Sequence, residues 1–394
     1  MYIIFTTPHV CGQLQDSLHI MNKPPFRADH VGSLLRSEAV SRAREQLDRG
    51  VISATELAQV EDAAITKLIA RQEAIGLRCA TDGELRRATW AYDFLSGFAG
   101  LKPVPRAAPP AAQGKALQQS TKGMNLLTVV GKVRFEGNPL IEHFRFLKAH
   151  TKATAKMTIP CPTMLVSASR DWRETVDQKV YPTLDALFED LGMAYRQAIR
   201  AFYDAGCRYL QLDDVNLAYL CDAEMRNKVT ARGDDPDAML KSWVKVLNKA
   251  VGERPGDMTI TTHICRGNFR SAWFAQGGYE VIADVLFNQL NYDGYFLEYD
   301  SERAGGFEPL RFVPKGKKRV VLGLVTTKTG ALESRDVIRE RIDAASKLVP
   351  LDQLCLSPQC GFASTAEGNE LAEEEQWAKL AFIVELARSI WPDA

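Results

Sequence analysis

The sequence has no excess of charge of either sign. Its 49 lysines and arginines are matched by 49 aspartates and glutamates, so no basic field exists to recruit nucleic acid or an anionic membrane. It also lacks any apolar run approaching the roughly 20 residues that cross a bilayer, so no membrane partner is expected. The opening stretch, MYIIFTTPHVCGQLQDSLHIMN, has neither a basic leader nor a small-residue cleavage pattern. Residues 1–22 are therefore expected to be a disordered or loosely attached extension, and 23–394 a single cytoplasmic domain. Disulfide spacing is absent too: Cys11, Cys79, Cys161, Cys207, Cys221, Cys265, Cys355 and Cys360 fall irregularly in a long chain, which reads as reduced thiols. No glycine-rich turn follows the first β-rich segment, which argues against a dinucleotide-binding sheet.

What is present is a repeat of short β-rich segments. FRADHVGS (26–33), LRCATDGE (77–84), KMTIPCP (156–162), CRYLQLDD (207–214), DMTITTHIC (257–265), DGYFLEYD (293–300), RVVLGLVTT (319–327) and LDQLCLSPQCGF (351–362) are mostly followed by amphipathic stretches. Two of these, 186–206 and 237–252, show helical spacing of apolar residues and close on glycine. Eight such alternations predict an α/β fold of the (β/α)8 TIM-barrel type, in which the C-terminal strand ends converge on one face. Residues 97–155 break the repeat. They hold a proline- and alanine-rich run and LLTVVGKVRFEG, which reads as a hairpin with Gly131 in its turn, and together predict an insertion after the second strand at the barrel mouth.

Each β segment begins apolar and ends on residues that can do chemistry. His263 and Cys265 leave one strand end two positions apart and so face the same side. Alone, that pair is weak evidence, since most such pairs are a satisfied histidine beside a buried thiol. Cys360 ends the eighth segment in a proline and glycine setting that suits an exposed loop. Glu298 ends the sixth after three apolar positions, where a carboxylate is costly unless partnered; an ion pair with Arg303 is the plain alternative. Together His263, Cys265, Glu298 and Cys360 offer nitrogen, sulfur and oxygen donors of the kind Zn2+ takes. Two thiolates and a carboxylate would keep such an ion electron-rich, so that a substrate thiolate on it stays nucleophilic.

In the order HVGSLLR, DGELRR, YLQLDD, HIC, FLEYD and SPQCGF, the chain resembles the catalytic domain of cobalamin-independent methionine synthases, and more closely their short single-barrel relatives. The resemblance covers most of 26–392. It implies that His263, Cys265, Glu298 and Cys360 are zinc ligands, catalytic through that ion, and that Ser33, Glu84 and Asp213 hold the amino-acid thiol homocysteine. Carboxylates suit its ammonium group, while a hydroxyl and a main-chain amide suit its carboxylate. Asp214 should point away from Asp213, as a helix cap or in a functional role. The implied activity is methyl transfer to a small-molecule thiol from a methyl-folate or another donor.

Three departures bear on that expectation. The second, N-terminal barrel of the full-length enzymes has no room in this chain. The family's Asp-x-His at the seventh strand end is replaced by LVTTKT, so a proton-relay histidine is missing. Arg266 follows the HIC motif, either as a solvated loop charge or as a substrate-binding anchor for an anionic tail on the thiol. The related epoxyalkane:coenzyme M transferases have a similar donor set, which keeps alkyl transfer to another thiol open. A zinc- and thiol-binding barrel without turnover is a further alternative.

Overall fold

Seven of the eight β-rich segments pair in parallel, in the order β1 (Cys79–Ala80), β4 (Thr154–Pro160), β5 (Tyr209–Asp214), β6 (Thr259–Ile264), β7 (Gly294–Glu298), β8 (Arg319–Val325) and β9 (Leu354–Pro358). The structure is a computed structural model describing residues 23–105 and 125–394. The expected extension 1–22 and much of the proline- and alanine-rich run lie outside those residues. Because every strand neighbours the next one in sequence, the sheet curls in one direction, as in TIM-barrel-like folds. No helix among the described residues is long and apolar enough to cross a membrane.

The first segment departs from expectation. Residues 26–33 do not form a ladder; they meet β9 through one parallel bridge, Ala28 to Leu356. The reason is local, since the Asp29 carboxylate accepts from the main-chain amides of Phe26 (3.1 Å) and His30 (2.8 Å) and so turns the backbone on itself. On its other side the segment reaches the loop after β1, with Thr81 Oγ1 donating to Gly32 O (2.7 Å) and Leu34 N to Gly83 O (3.0 Å).

Side-chain alternation along the strands divides apolar from polar chemistry. Leu210 and Leu212 of β5 join the main core beneath the helices Leu184–Asp204 and Pro236–Val251. Each large apolar side chain so buried contributes about 1.5–3 kcal/mol. Thr183 and Asp235 cap those helices by accepting main-chain amides, and Gly206 (φ +95°) ends the first, as its position predicts. On the opposite face of the sheet Lys156 pairs with Asp29 (3.0 Å), both fully buried. Tyr209 donates to the same carboxylate (2.8 Å), and the Lys156 ammonium also lies over the Phe296 ring. A buried charge is tolerated only with such partners.

The insertion is built differently from the expected hairpin. β2 (Phe98–Pro105) pairs antiparallel with β3 (Asn125–Phe135), and Gly131 lies within β3 rather than in a turn. The irregularity belongs to Gly100 (φ +84°), where the register shifts and a Cβ would stand 2.5 Å from Lys132 O. Sequence patterning points to a turn at Gly131 because a glycine between two apolar runs looks the same in a bulged pair. The last part of the 97–155 segment is the helix Leu140–His150 and the start of β4, so it returns to the strand and helix alternation.

Candidate metal centre and active-site cavity

Strand register assembles the site. β5 and β6 pair with Asp213 opposite His263, and neighbours in a parallel pair share a face. Cys265 is two residues beyond His263, and Glu298 is two beyond Phe296, the β7 partner of His263, so all three project to the same side. Cys360 arrives from the loop after β9. The donor atoms of His263, Cys265, Glu298 and Cys360 all lie within 4.8 Å of one another, and all four residues are buried. Cys360 is thus not in an exposed loop: Gln359 N donates to Val325 O (2.8 Å), drawing the chain back over the strand ends.

The donor set fits zinc. The two sulfurs stand 3.6 Å apart, and two zinc to sulfur bonds of about 2.3 Å at a tetrahedral angle span about 3.8 Å. They are free thiols, as are all cysteines of the described residues. His263 turns Nδ1 to Asp213 (3.5 Å) and Nε2 toward Glu298 Oε1 (3.9 Å) and Gln359 O (3.1 Å). A carboxylate behind the imidazole fixes ring and tautomer in the manner of metal-bound histidines. Burial opposes charge on His263, yet Asp213, Cys360 and Glu298 outweigh it and raise its pKa to about 9. The hydrogen bond from Cys265 lowers the Cys360 pKa, while the same contact and burial push Cys265 up. Binding of a divalent cation by these donors would require both thiols to be deprotonated.

Glu298 meets both readings of it. Its Oε2 accepts from Arg303 (2.8 Å) and its Oε1 from the Arg266 amide (2.9 Å), and it remains beside His263. Arg266 follows neither expectation. Its side chain is fully buried with the guanidinium over the Tyr279 ring (4.4 Å), and it is absent from the cavity lining. The cause is loop closure: Phe274 N and Ala275 N both donate to Arg266 O, folding the loop over its side chain.

A cavity of about 260 Å³ opens on the two sulfurs and His263, and Ser33, Glu84 and Asp213 line it as well. Glu84 sits at φ +59°, a sparsely populated conformation for a side-chain-bearing residue. Thr158 donates to its Oε1 (2.8 Å). Burial raises the Glu84 pKa to about 7, against the pull of Arg87 and with a push from Asp213. Asp214 points away: it accepts from Thr163 Oγ1 (3.0 Å), Asn216 N (2.6 Å) and Leu217 N (3.1 Å), which makes it a cap for the short helix Asn216–Tyr219. At the end of β8, Lys328 donates to Asn268 Oδ1 (3.2 Å), near where the family's relay histidine is expected.

Several residues of the site carry no signal in the sequence. Trp90, Met164 and Tyr219 pack on the cluster of Val215, Cys265 and Cys360, and no spacing marks them. Arg36 could have been found, because it belongs to HVGSLLR. Its guanidinium donates to the carbonyls of Glu84 (3.1 Å), Arg87 (2.7 Å) and Thr365 (2.8 Å), tying the Glu84 loop to the one that carries Cys360.

Known proteins share this architecture. The Bacillus subtilis (strain 168) protein YxjH, described as uncharacterized, is 46% identical over 385 residues, covering 97% of this chain and 98% of that one. A crystal structure from Listeria monocytogenes, described as a candidate vitamin-B12 independent methionine synthase, superposes with a TM-score of 0.73 at 40% identity, covering 93% of this chain and 98% of that one. The 5-methyltetrahydropteroyltriglutamate–homocysteine methyltransferase of Thermotoga maritima is 19% identical over 341 residues; the match covers 86% of this chain but 42% of that enzyme. The family profile "Cobalamin-independent synthase, Catalytic domain" matches residues 26–389, and the chain belongs to that family.

Proposed function

We propose that this chain is a zinc-dependent methyltransferase that methylates the sulfur of homocysteine to give methionine, on a (β/α)8 barrel in which residues 26–33 take the remaining strand position. One observation carries the reading: a nitrogen, an oxygen and two sulfur donors converge at the C-terminal side of the sheet, and the two sulfurs line a cavity that also holds Ser33, Glu84 and Asp213. His263, Cys265, Glu298 and Cys360 would hold the ion. A zinc ion there supplies a Lewis acid that lowers the pKa of the acceptor thiol and fixes its sulfur.

The protein's own residues do the rest. Glu84 and Asp213 bind the ammonium group, whose charge favours the ionised form of Glu84 over the protonated form that burial alone prefers. Ser33 receives the carboxylate, and its hydroxyl is held in place by the Ala363 amide (3.3 Å). Leu126 and Leu127 of β3 give the cavity an apolar wall, against which the donor would lie. Two carboxylates in the cavity, Glu84 and Asp213, suit an ammonium group, which supports an amino-acid thiol.

The test is metal analysis together with product mass. Protein purified under reducing conditions should carry one zinc per chain and form methionine from homocysteine and a methyl donor. Zinc-free protein that turns over equally fast, or homocysteine left unmethylated with every donor, would overturn the reading.

A further inference from the structure

Below the cavity the barrel interior continues as a polar layer. β4 and β5 pair with Thr158 opposite Gln211, and Asp213 lies two positions beyond Gln211, on the same face of the strand. Thr158 is 2% exposed and Gln211 is fully buried, and neither is among the described residues that line the cavity. Each ends on a carboxylate that does line it. Thr158 Oγ1 donates to Glu84 Oε1 (2.8 Å), and Gln211 Nε2 donates to Asp213 Oδ1 (2.7 Å). The same Gln211 nitrogen donates to Val31 O (2.7 Å), two residues before Ser33. Both partners are acceptors, so the nitrogen end of the amide must face them. One side chain thereby ties the segment that bears Ser33 to Asp213. The segment also packs on this layer directly, since a Cβ on Gly32 would stand 2.6 Å from the Thr158 methyl.

Resting on the thiol-methylation reading, we infer that Thr158 and Gln211 are positioning residues for the acceptor: they orient the Glu84 and Asp213 carboxylates and so give the site its preference for a thiol that bears an ammonium group. The reason is geometric. Asp213 acts on Glu84 as a like charge, and two free carboxylates would rotate apart about their side-chain torsions. Thr158 and Gln211 each pin one oxygen from below. A carboxylate oxygen accepts more than one hydrogen bond, so both keep acceptor capacity for an ammonium group above. Ordering is thus complete before the ligand arrives, which lowers the entropy lost on binding. The Gln211 contact to Val31 adds a second constraint. An amino acid bears its ammonium and carboxylate on one carbon, so Asp213 and Ser33 must stay in register to meet both.

The test is calorimetry on zinc-loaded protein with homocysteine and with des-amino homocysteine, which keeps the thiol and the carboxylate and lacks the ammonium group. The wild type should bind homocysteine about tenfold or more tightly than the des-amino thiol, as hydrogen bonds to charged groups warrant. Thr158→Val and Gln211→Met keep the side-chain size and remove the donors, and each should cut that preference by about fivefold or more. In Thr158→Val the affinity for the des-amino thiol should stay as in the wild type. Zinc content and the far-ultraviolet circular dichroism spectrum, unchanged, show that centre and fold are intact. A merely structural role would weaken both thiols alike. A preference that survives in a folded variant, or is missing in the wild type, overturns the inference and leaves thiol methylation standing. Should Gln211→Met not fold, the Thr158→Val comparison decides alone. If the wild type neither binds nor methylates homocysteine, the thiol-methylation reading falls with the inference.

Discussion

Cys265 Sγ and Cys360 Sγ lie 3.6 Å apart although 95 positions separate them in the chain. The two loops that carry them are held by main-chain hydrogen bonds, Cys265 N to Asp214 O (2.7 Å) and Gln359 N to Val325 O (2.8 Å), so contacts other than the sulfurs position the pair. Cys360→Ser is therefore expected to keep the fold, with an unchanged far-ultraviolet circular dichroism spectrum, and to lose bound zinc and thiol alkylation together. Stoichiometric zinc with an unchanged alkylation rate in the variant would remove Cys360 from the centre.

Asp213 acts on the same centre from behind His263. Loss of a carboxylate that orients a metal-bound histidine weakens metal affinity by about 10–100-fold. Asp213→Asn should show that loss in a competition titration with a chelator, with a higher KM for homocysteine, since Asp213 also lines the cavity.

Arg303 is the side-chain cation paired with the fully buried carboxylate of Glu298. Removing one member of a buried pair typically costs about 3–5 kcal/mol. Arg303→Met should thus lower the melting temperature markedly in zinc-free protein. Zinc supplies a replacement positive charge, so the loaded variant should regain part of the difference. An equal loss in both forms would mean that Glu298 does not face the metal.

The raised pKa of Glu84 fixes a sign. Between its ordinary value of 4.5 and about 7, the folded chain holds a proton that the unfolded chain has released, so stability falls as pH rises through that window. The contribution is on the order of 3 kcal/mol at about 1.4 kcal/mol per unit. Glu84→Gln should flatten the decline in melting temperature between about pH 5 and about pH 7.5. For the wild type, KM for homocysteine should fall as pH rises toward 7, because the ammonium group needs the carboxylate; the glutamine variant should lack that trend.

The four donors were legible in the sequence because strand polarity is local: an apolar run ending in a soft or charged side chain states which end faces the site. Seven strands followed from the same pattern. The failures share a different cause. Arg266 looks like a loop charge until Phe274 and Ala275 close the loop over it. Residues 26–33 read as a strand, yet Asp29 turns its side chain onto the neighbouring amides. Trp90 and Tyr219 reach the sulfurs only through tertiary packing, which no spacing within a segment encodes.

The β2 and β3 hairpin gives this barrel a separable wall. Leu126 and Leu127 face the cavity from an excursion between β1 and β4, while the metal donors come from β6, β7 and the loop after β9. The hairpin's solvent-facing positions can therefore change without touching the metal donors, while Leu127, Val129 and Val133 stay tied to the core. Relatives with an identical donor quartet are thus free to diverge in the alkyl source they accept, and a lineage could change its methyl supply while its sulfur chemistry stays the same.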